Sequence, residues 1–339
     1  MPALAHGGDL GAARAQFPDA PEPFIDLSTG INPFPYPFGS LPAHAFTRLP
    51  QPEDLARLTA IAAKAYGAPS PEHVVPAPGM QMLLAISSRL LPTGRAAVLG
   101  PTYSEHARIA ALVGHRLQEV SDLEQLAEAE LAIVVNPNNP DGRIACKHDL
   151  LELADKLRAR RGLLIVDEAF MEVASSEHSV ASEVGQPEIV VLRSFGKFYG
   201  LPGVRLAFAL TAPRHAGRMR AWLGPWPVSG AALAIGQMAL ADAVWTQDMR
   251  EKLRAAATRL DALLASARLE VIGGTLLFRL VRTDFAADLF DRLGRAGIYV
   301  RRFDEQPKWL RFGLPGNEDA WKRLATALPS SSPPRRNFL

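Results

Sequence analysis

The sequence has a single cysteine, Cys146, among 339 residues. One cysteine excludes an internal disulfide and favours a reducing compartment. The formal net charge is only +2, and the basic residues are scattered, which argues against a nucleic acid partner. No apolar run approaches the ~20 residues of a membrane helix, and the first residues lack the charged and apolar regions of a signal peptide. We therefore expect a soluble, cytoplasmic protein with no membrane partner.

Metal chemistry also lacks support, because eight dispersed histidines and one cysteine show no ligand spacing. The hydrophobic fraction of 48% and the charged fraction of 21% are ordinary for a globular protein. We find no internal repeat. The remaining signals are the order of apolar segments and the polar residues that follow them.

Apolar strands alternate with amphipathic helices between residues 53 and 210, which predicts an α/β fold with a mostly parallel sheet covered on both faces. Ser121, three residues before Glu124, forms a capping-box pattern that predicts a further helix. The predicted strands are 73–77, 95–100, 131–135, 162–166, 189–192 and 206–210, and the predicted helices are 53–66, 79–91, 104–114 and 147–160.

The two ends of the chain differ from this middle part. The first forty residues are rich in Pro and Gly and predict an extended arm. Helices predicted over 213–268 lead into a smaller unit in which strands and helices alternate. We divide the chain into an arm (1–40), a large domain (41–250), a small domain (251–330) and a disordered tail (331–339).

Five predicted strands are each followed directly by unusual polar or glycine-rich residues. In an open parallel sheet, ligands bind outside the carboxyl ends of the strands, so we expect these residues to meet at one edge. Each has an ordinary alternative: Asp167 as a helix cap, Tyr103 in the core, Arg205 in an ion pair, Lys197 on the surface, the Asn-rich segment as a plain turn. Five such exceptions at one edge favour a binding site. The segments are 78–81, 101–103, 136–142, 167–170 and 193–197.

These side chains match the groups of pyridoxal 5′-phosphate. The helix that opens at Gly79, followed by Met80 and Gln81, offers backbone N–H groups to a phosphate. Ser194 and Arg205 add a hydroxyl and a guanidinium to the same anion.

The ring and aldehyde of the cofactor account for the other residues. Asp167 suits a protonated ring nitrogen, Asn139 a ring oxygen, and Tyr103 the ring face. Lys197 is placed as the nucleophile that forms a Schiff base with the aldehyde.

The motifs PTY, NPNNPDG, DEAF and SFGK…PGVR, in this order, resemble those of the fold-type I PLP-dependent enzymes of the aspartate aminotransferase superfamily. The resemblance implies a large domain with a seven-stranded sheet, a smaller C-terminal domain and a homodimer. It assigns Lys197 as the internal aldimine lysine, with Asp167 and Tyr103 beside it, and Arg311 as the clamp for the substrate α-carboxylate. Two departures stand out: Phe170 and Leu49 occupy positions where many relatives have tyrosine.

The histidinol-phosphate aminotransferase branch looks most similar, and the arm motifs HGGD and DLSTGINPFPYP resemble the L-threonine-O-3-phosphate decarboxylases of cobalamin biosynthesis. This resemblance implies a phosphorylated amino acid as substrate and contacts from His6, Gly8 and Asn32. Arg301 is a further candidate for the substrate phosphate, with an exposed strand charge as the alternative.

The reaction implied is decarboxylation of O-phospho-L-threonine to (R)-1-amino-2-propanol phosphate and CO₂ through an external aldimine and a quinonoid. The bond at Cα that stands perpendicular to the ring is the one that breaks, so substrate orientation selects the reaction. The same residues would serve transamination, so an aminotransferase remains the alternative. A dinucleotide-binding oxidoreductase is rejected because HGGDLGAA lacks the glycine spacing. A non-catalytic regulator is disfavoured by intact Lys197 and Asp167.

Overall fold

A computed structural model describes residues 7–186 and 188–329 of the chain. His6 and the 331–339 tail, for which a substrate contact and disorder are predicted, lie outside the described residues. No helix in the described part is both long and apolar enough to cross a membrane.

The strands in chain order are β1 (Ile25–Leu27), β2 (Val74–Ala77), β3 (Arg95–Leu99), β4 (Arg116–Val120), β5 (Leu131–Val135), β6 (Leu163–Asp167), β7 (Ile189–Ser194), β8 (Ala207–Thr211), β9 (Glu270–Thr275), β10 (Phe278–Arg282), β11 (Ile298–Arg302) and β12 (Trp309–Gly313). The α-helices are α1 (Leu10–Gln16), α2 (His44–Thr47), α3 (Pro52–Tyr66), α4 (Met80–Ser88), α5 (Ser104–Leu112), α6 (Lys147–Ala159), α7 (Phe195–Phe198), α8 (Pro213–Leu223), α9 (Gly230–Ala241), α10 (Ala243–Ser266), α11 (Ala286–Arg295) and α12 (Glu318–Ala327).

The chain divides into two compact units. Pro35–Gln247 form the large unit, and the described residues up to Phe34 and from Asp248 onward form the small unit. The sequence placed these boundaries at 40/41 and 250/251. The residues predicted as an arm therefore group with the C-terminal part of the chain.

The large unit is built on a seven-stranded sheet with the order β2-β8-β7-β6-β5-β3-β4. Only β8 runs antiparallel to its neighbours, so the prediction of a mostly parallel sheet is confirmed. Strands β5, β6 and β7 are buried along their whole length, as expected for parallel strands covered on both faces. This burial explains why their sequences are continuous apolar runs without alternation.

Two sequence predictions about the edge of this sheet were wrong or incomplete. The Ser121 pattern does not start an α-helix: Leu123–Glu128 form a 3₁₀ helix without a side-chain cap, and the Ser121 hydroxyl bonds Asp122 instead. Strand β4 was missed. It is one of the two edge strands and is mostly exposed, so its sequence RLQEV lacks the apolar run that marks the central strands.

The small unit contains a five-stranded sheet with the order β1-β11-β12-β10-β9. Strand β1 pairs parallel with β11, and the other pairs are antiparallel. Phe17, just after α1, packs against Phe290 of α11 with ring centroids 5.9 Å apart. A Cβ on Gly294 would lie 2.2 Å from the Phe17 ring, so α11 must present a glycine there. The N-terminal residues are thus integral to this unit.

Candidate active site

The polar segments of the large unit do converge. Strands β2, β3, β5, β6 and β7 run in the same direction, so their carboxyl ends lie at one edge of the sheet. The residues predicted to bind a cofactor lie at or just after these five ends, except Arg205, which precedes β8. The geometry at each end shows what each residue can do.

Gly79 and Arg205 form a close contact at the start of α4. Gly79 has φ +96°, and a Cβ there would lie 2.6 Å from Nη2 of Arg205. Only glycine lets the backbone approach the guanidinium this closely without strain. The first turn of α4, which includes Met80 and Gln81, presents backbone N–H groups beside this positive charge. This is a cradle for an anion such as a phosphate.

The Gln81 side chain is committed elsewhere. Its amide donates a hydrogen bond to Glu105, a buried carboxylate that also accepts two hydrogen bonds from Arg108, at 2.7 and 2.6 Å. Gln81 is therefore suited to bind an anion through its backbone N–H. Sequence reasoning missed Glu105 and Arg108, since charged residues on a predicted helix usually face solvent.

Lys197 lies in the short helix α7, which follows β7 directly after Ser194. A Cβ on Gly196 would lie 2.8 Å from Cα of Pro202, so a larger residue could not occupy this turn unless the chain moved. This contact explains the glycine before the lysine. Lys197 Nζ lies 5.7 Å from the centroid of the ring of Phe170, a residue of the segment that follows Asp167.

Asp167, the last residue of β6, is buried and held at both carboxylate oxygens. Oδ1 accepts a hydrogen bond from the Ala169 N–H at 2.9 Å, and Oδ2 lies 2.7 Å from Nε2 of His106. His106 is itself buried, and its ring meets Tyr103 edge-on, with centroids 6.0 Å apart. The sequence analysis missed His106. Its signal in the sequence is its position in the first turn of α5, the helix that begins beside Tyr103.

The Asn-rich loop after β5 contains both structural and candidate binding residues. Asn136 bonds the backbone of Ala145 in both directions, and Asn138 accepts from the Thr102 hydroxyl at 2.6 Å. Asn138 also donates to Asp141. These bonds fix the loop against the segment after β3. The turn interpretation therefore holds for two asparagines, and Asn139 follows them half-buried on the braced backbone.

Beneath this edge lies a buried ionic cluster of Arg193, Glu168 and Glu172. Arg193 Nη2 lies 2.8 Å from Glu168 Oε2, and its Nη1 lies 3.6 Å from Glu172. Burial raises the pKa of Glu168, although the Arg193 charge opposes the shift. Burial by itself would lower the pKa of Arg193. The charges of Glu168 and Glu172 act in the opposite direction and together have the larger effect, so the Arg193 pKa is raised. An arginine at the end of a strand could bind an anion or form an ion pair, and the structure shows that Arg193 forms the ion pair.

The predicted substrate residues of the described chain lie in the small unit, apart from Asn139. Arg311 on β12 is buried, donates to the Ser28 carbonyl at 2.8 Å and lies over the Phe278 ring. Arg301 on β11 pairs in register with Arg311. Directly opposed residues share a face of the sheet, so both arginines project from the same face of it.

The other two predicted substrate residues, Gly8 and Asn32, each form a hydrogen bond that involves a backbone N–H. Gly8 donates its N–H to the Ser28 hydroxyl at 2.7 Å. Asn32 is buried, and its Oδ1 accepts from the Phe34 N–H at 2.8 Å. Arg302, the neighbour of Arg301, faces the opposite side of the strand, as alternation requires. It is exposed and forms an ion pair with Asp304.

Comparison with known proteins identifies the family. The model of the family "aminotransferase class I and II" matches residues 40–328. A threonine-phosphate decarboxylase of Sinorhizobium sp. is 40% identical over 96% of this chain and 97% of its own. The histidinol-phosphate aminotransferase 3 of Mesorhizobium japonicum is 27% identical over 96% of this chain and 95% of its own.

Among solved structures, the histidinol-phosphate aminotransferase of Sinorhizobium meliloti in complex with pyridoxal-5′-phosphate has a TM-score of 0.81. At 24% identity it covers 97% of this chain and 94% of its own, and it establishes the fold. The family resemblance and the fold class predicted from the sequence are therefore confirmed. The chain belongs to the class I and II aminotransferase family, in which its sequence is similar throughout to threonine-phosphate decarboxylases.

Proposed function

We propose that this protein is a pyridoxal 5′-phosphate-dependent decarboxylase that converts O-phospho-L-threonine to (R)-1-amino-2-propanol phosphate and CO₂ for cobalamin biosynthesis. The observation that carries the proposal is the 40% identity to a threonine-phosphate decarboxylase over nearly both whole chains. The aminotransferase of similar coverage is less similar, at 27%. The site residues add a chemical argument.

The residues at the sheet edge fit pyridoxal 5′-phosphate. The Gly79 contact with Arg205, beside the start of α4, leaves room for an anion that a Cβ would disturb, and Ser194 follows on β7. Asp167 is a buried carboxylate with a fixed direction, suited to pair with a ring nitrogen. Asn139, Tyr103 and Lys197 supply the amide, the aromatic face and the amine. When bound, the cofactor withdraws the electrons of the bond that breaks at Cα.

The chain's own residues then decide which bond breaks. We assign Arg311 to the substrate carboxylate and Arg301, with the residues of the HGGD and INP segments, to the substrate phosphate. Two fixed anions set the rotation about the Cα–N bond, and so determine whether the carboxylate or the hydrogen stands perpendicular to the ring. In decarboxylation the Cα–carboxylate bond breaks, CO₂ leaves, and Cα receives a proton. We assign this proton transfer to the Lys197 ammonium.

A homodimer is part of this proposal. Phe46 and Leu49 of the large unit are 69% and 60% exposed, although both are large and apolar. Helix α2, which carries Phe46, packs on α9, where Met238 is a further exposed apolar side chain. Apolar side chains gathered on a surface are typical of an interface. Leu49, in the position where many relatives have tyrosine, cannot hydrogen-bond a phosphate of a neighbouring subunit.

Product analysis tests the reaction directly. The holoenzyme is incubated with O-phospho-L-threonine, and the products are identified by mass spectrometry. Aminopropanol phosphate with CO₂, and with the cofactor regenerated, is expected. A keto acid together with pyridoxamine phosphate would instead show an aminotransferase and refute the decarboxylase. If there is no turnover, histidinol phosphate is the next substrate to test.

A further inference from the structure

Ser28 stands where the two N-terminal motifs of the small unit meet. Its side chain is fully buried. The hydroxyl donates to Asp26 Oδ1 at 2.6 Å and accepts from the Gly8 N–H at 2.7 Å. Asp26 Oδ1 also accepts from the Ser28 N–H at 2.8 Å. Because the Ser28 hydroxyl hydrogen points at Asp26, an oxygen lone pair is directed at the Gly8 N–H, and this bond ties Gly8 to the DLSTG segment.

The glycines of HGGD are required by this contact. A Cβ on Gly7 would lie 2.4 Å from the Ser28 carbonyl oxygen, inside any allowed separation. Gly8 has φ +90°, a conformation that favours glycine, and a Cβ there would lie 3.3 Å from the Thr29 methyl. The two glycines therefore bring the backbone that follows His6 directly onto Ser28.

The same residue contacts the predicted carboxylate-binding arginine. The Ser28 carbonyl accepts a hydrogen bond from Arg311 Nη2 at 2.8 Å. Two residues further along β12, a Cβ on Gly313 would lie 2.6 Å from the Thr29 carbonyl oxygen. Strand β12 and the segment after β1 are thus packed backbone to backbone. Ser28 bonds Gly8 with its side chain and Arg311 with its main chain.

We propose that Ser28 is a specificity-determining positioning residue that sets residues 7–9 of the HGGD motif in register with Arg311. The inference rests on the proposed function, in which Arg311 binds the carboxylate of a phosphorylated amino acid and the HGGD segment contributes to binding its phosphate. Ser28 touches neither group itself. By bonding both Gly8 and Arg311, Ser28 fixes the distance between the phosphate-binding and the carboxylate-binding residues. This distance favours the phosphorylated substrate over its unphosphorylated counterpart.

Ser28→Ala tests this, because it removes the hydroxyl and keeps the carbonyl that Arg311 uses. Dissociation constants for O-phospho-L-threonine and L-threonine are measured on the holoenzyme by spectral titration. We expect the preference for the phosphorylated ligand to fall about tenfold, the size of one lost hydrogen bond. Hydrogen exchange of residues 7–16 should accelerate. The matched control is Ser87→Ala, a buried hydroxyl in α4 without a hydrogen-bond partner in the described part of the chain.

The outcomes separate the possible explanations. Equal weakening of both ligands by Ser28→Ala would show a general structural effect and overturn the specificity role. Unchanged hydrogen exchange at 7–16 would overturn the link itself. If the wild-type enzyme does not act on O-phospho-L-threonine, the proposed function fails. The same two measurements, made with histidinol phosphate and histidinol, then still decide whether Ser28 sets the preference for a phosphorylated ligand.

Discussion

Replacement of Gly79 by alanine tests the phosphate cradle most directly. The backbone at Gly79 has φ +96° and ψ 166°, a region open almost only to glycine, and occupying it with another residue costs about 1–3 kcal/mol. The new Cβ would also lie 2.6 Å from Arg205 Nη2 and 3.0 Å from Cζ. Without the cofactor, the Gly79→Ala protein relieves the backbone strain and the contact with Arg205 by moving Arg205 and the start of α4 away from the geometry that binds phosphate.

Binding the cofactor must then restore that geometry against the strain. Since about 1.4 kcal/mol corresponds to a factor of ten, we expect the dissociation constant of pyridoxal 5′-phosphate to rise roughly tenfold to a hundredfold. The assay is a titration of the apoenzyme with the cofactor, followed by absorbance.

Two glycine controls separate the causes. Gly203→Ala, two residues before Arg205, adds a Cβ into open space at an ordinary backbone conformation and should leave affinity unchanged. Gly67→Ala adds strain at φ +74° without a steric contact, so it should lower the free energy of unfolding but not cofactor affinity. Wild-type affinity in Gly79→Ala would refute the cradle.

Three further predictions concern the large unit. Lys197→Ala should abolish the visible absorbance of the lysine-bound cofactor, and a retained band would remove Lys197 from its role. His106→Ala removes the hydrogen bond to Asp167, so it should lower kcat about tenfold to a hundredfold with little change in substrate KM. Steady-state kinetics measure both constants, and a change in KM alone would contradict the prediction. Burial raises the pKa of Glu168 above its ordinary value of 4.5, so the folded state holds that proton more tightly than the unfolded chain. Its stabilising contribution is present below that value and is lost as the pH rises through the folded pKa. The wild-type protein's stability advantage over Glu168→Gln in urea unfolding should therefore shrink as the pH rises above 4.5. A constant or growing difference would argue against a raised pKa.

The residues missed by sequence reasoning share a physical feature. His106, Glu105 and Ser28 are buried polar side chains, and each has a hydrogen-bond partner at least 20 residues away in the sequence. A buried polar group must be hydrogen-bonded, but which group bonds it depends on how the elements pack. Local patterns carry no record of that choice. The structure shows these residues holding the ones that the motifs had identified.

The strand order and the missed edge strand follow the same logic. Apolar runs such as 131–135 and 189–192 predict strands, because both faces of a central strand are covered and the residues in these runs are all apolar. Strand β4 has one exposed edge and a polar sequence, so only its pairing with β3 reveals it. The antiparallel direction of β8 likewise comes from pairing and not from its composition.

The sequence by itself determined the fold class, the residues that follow each strand and the cofactor chemistry those residues suit. It could do so because strand period, glycine turns and residue chemistry are local properties. The tertiary structure decided that the Gly79 backbone meets Arg205, that Asp167 is held by His106, and that Arg193 is neutralised by Glu168 and Glu172. It also decided that Ser28 joins Gly8 to Arg311. These contacts span up to 283 residues of sequence, and only the folded chain brings such groups within hydrogen-bond distance.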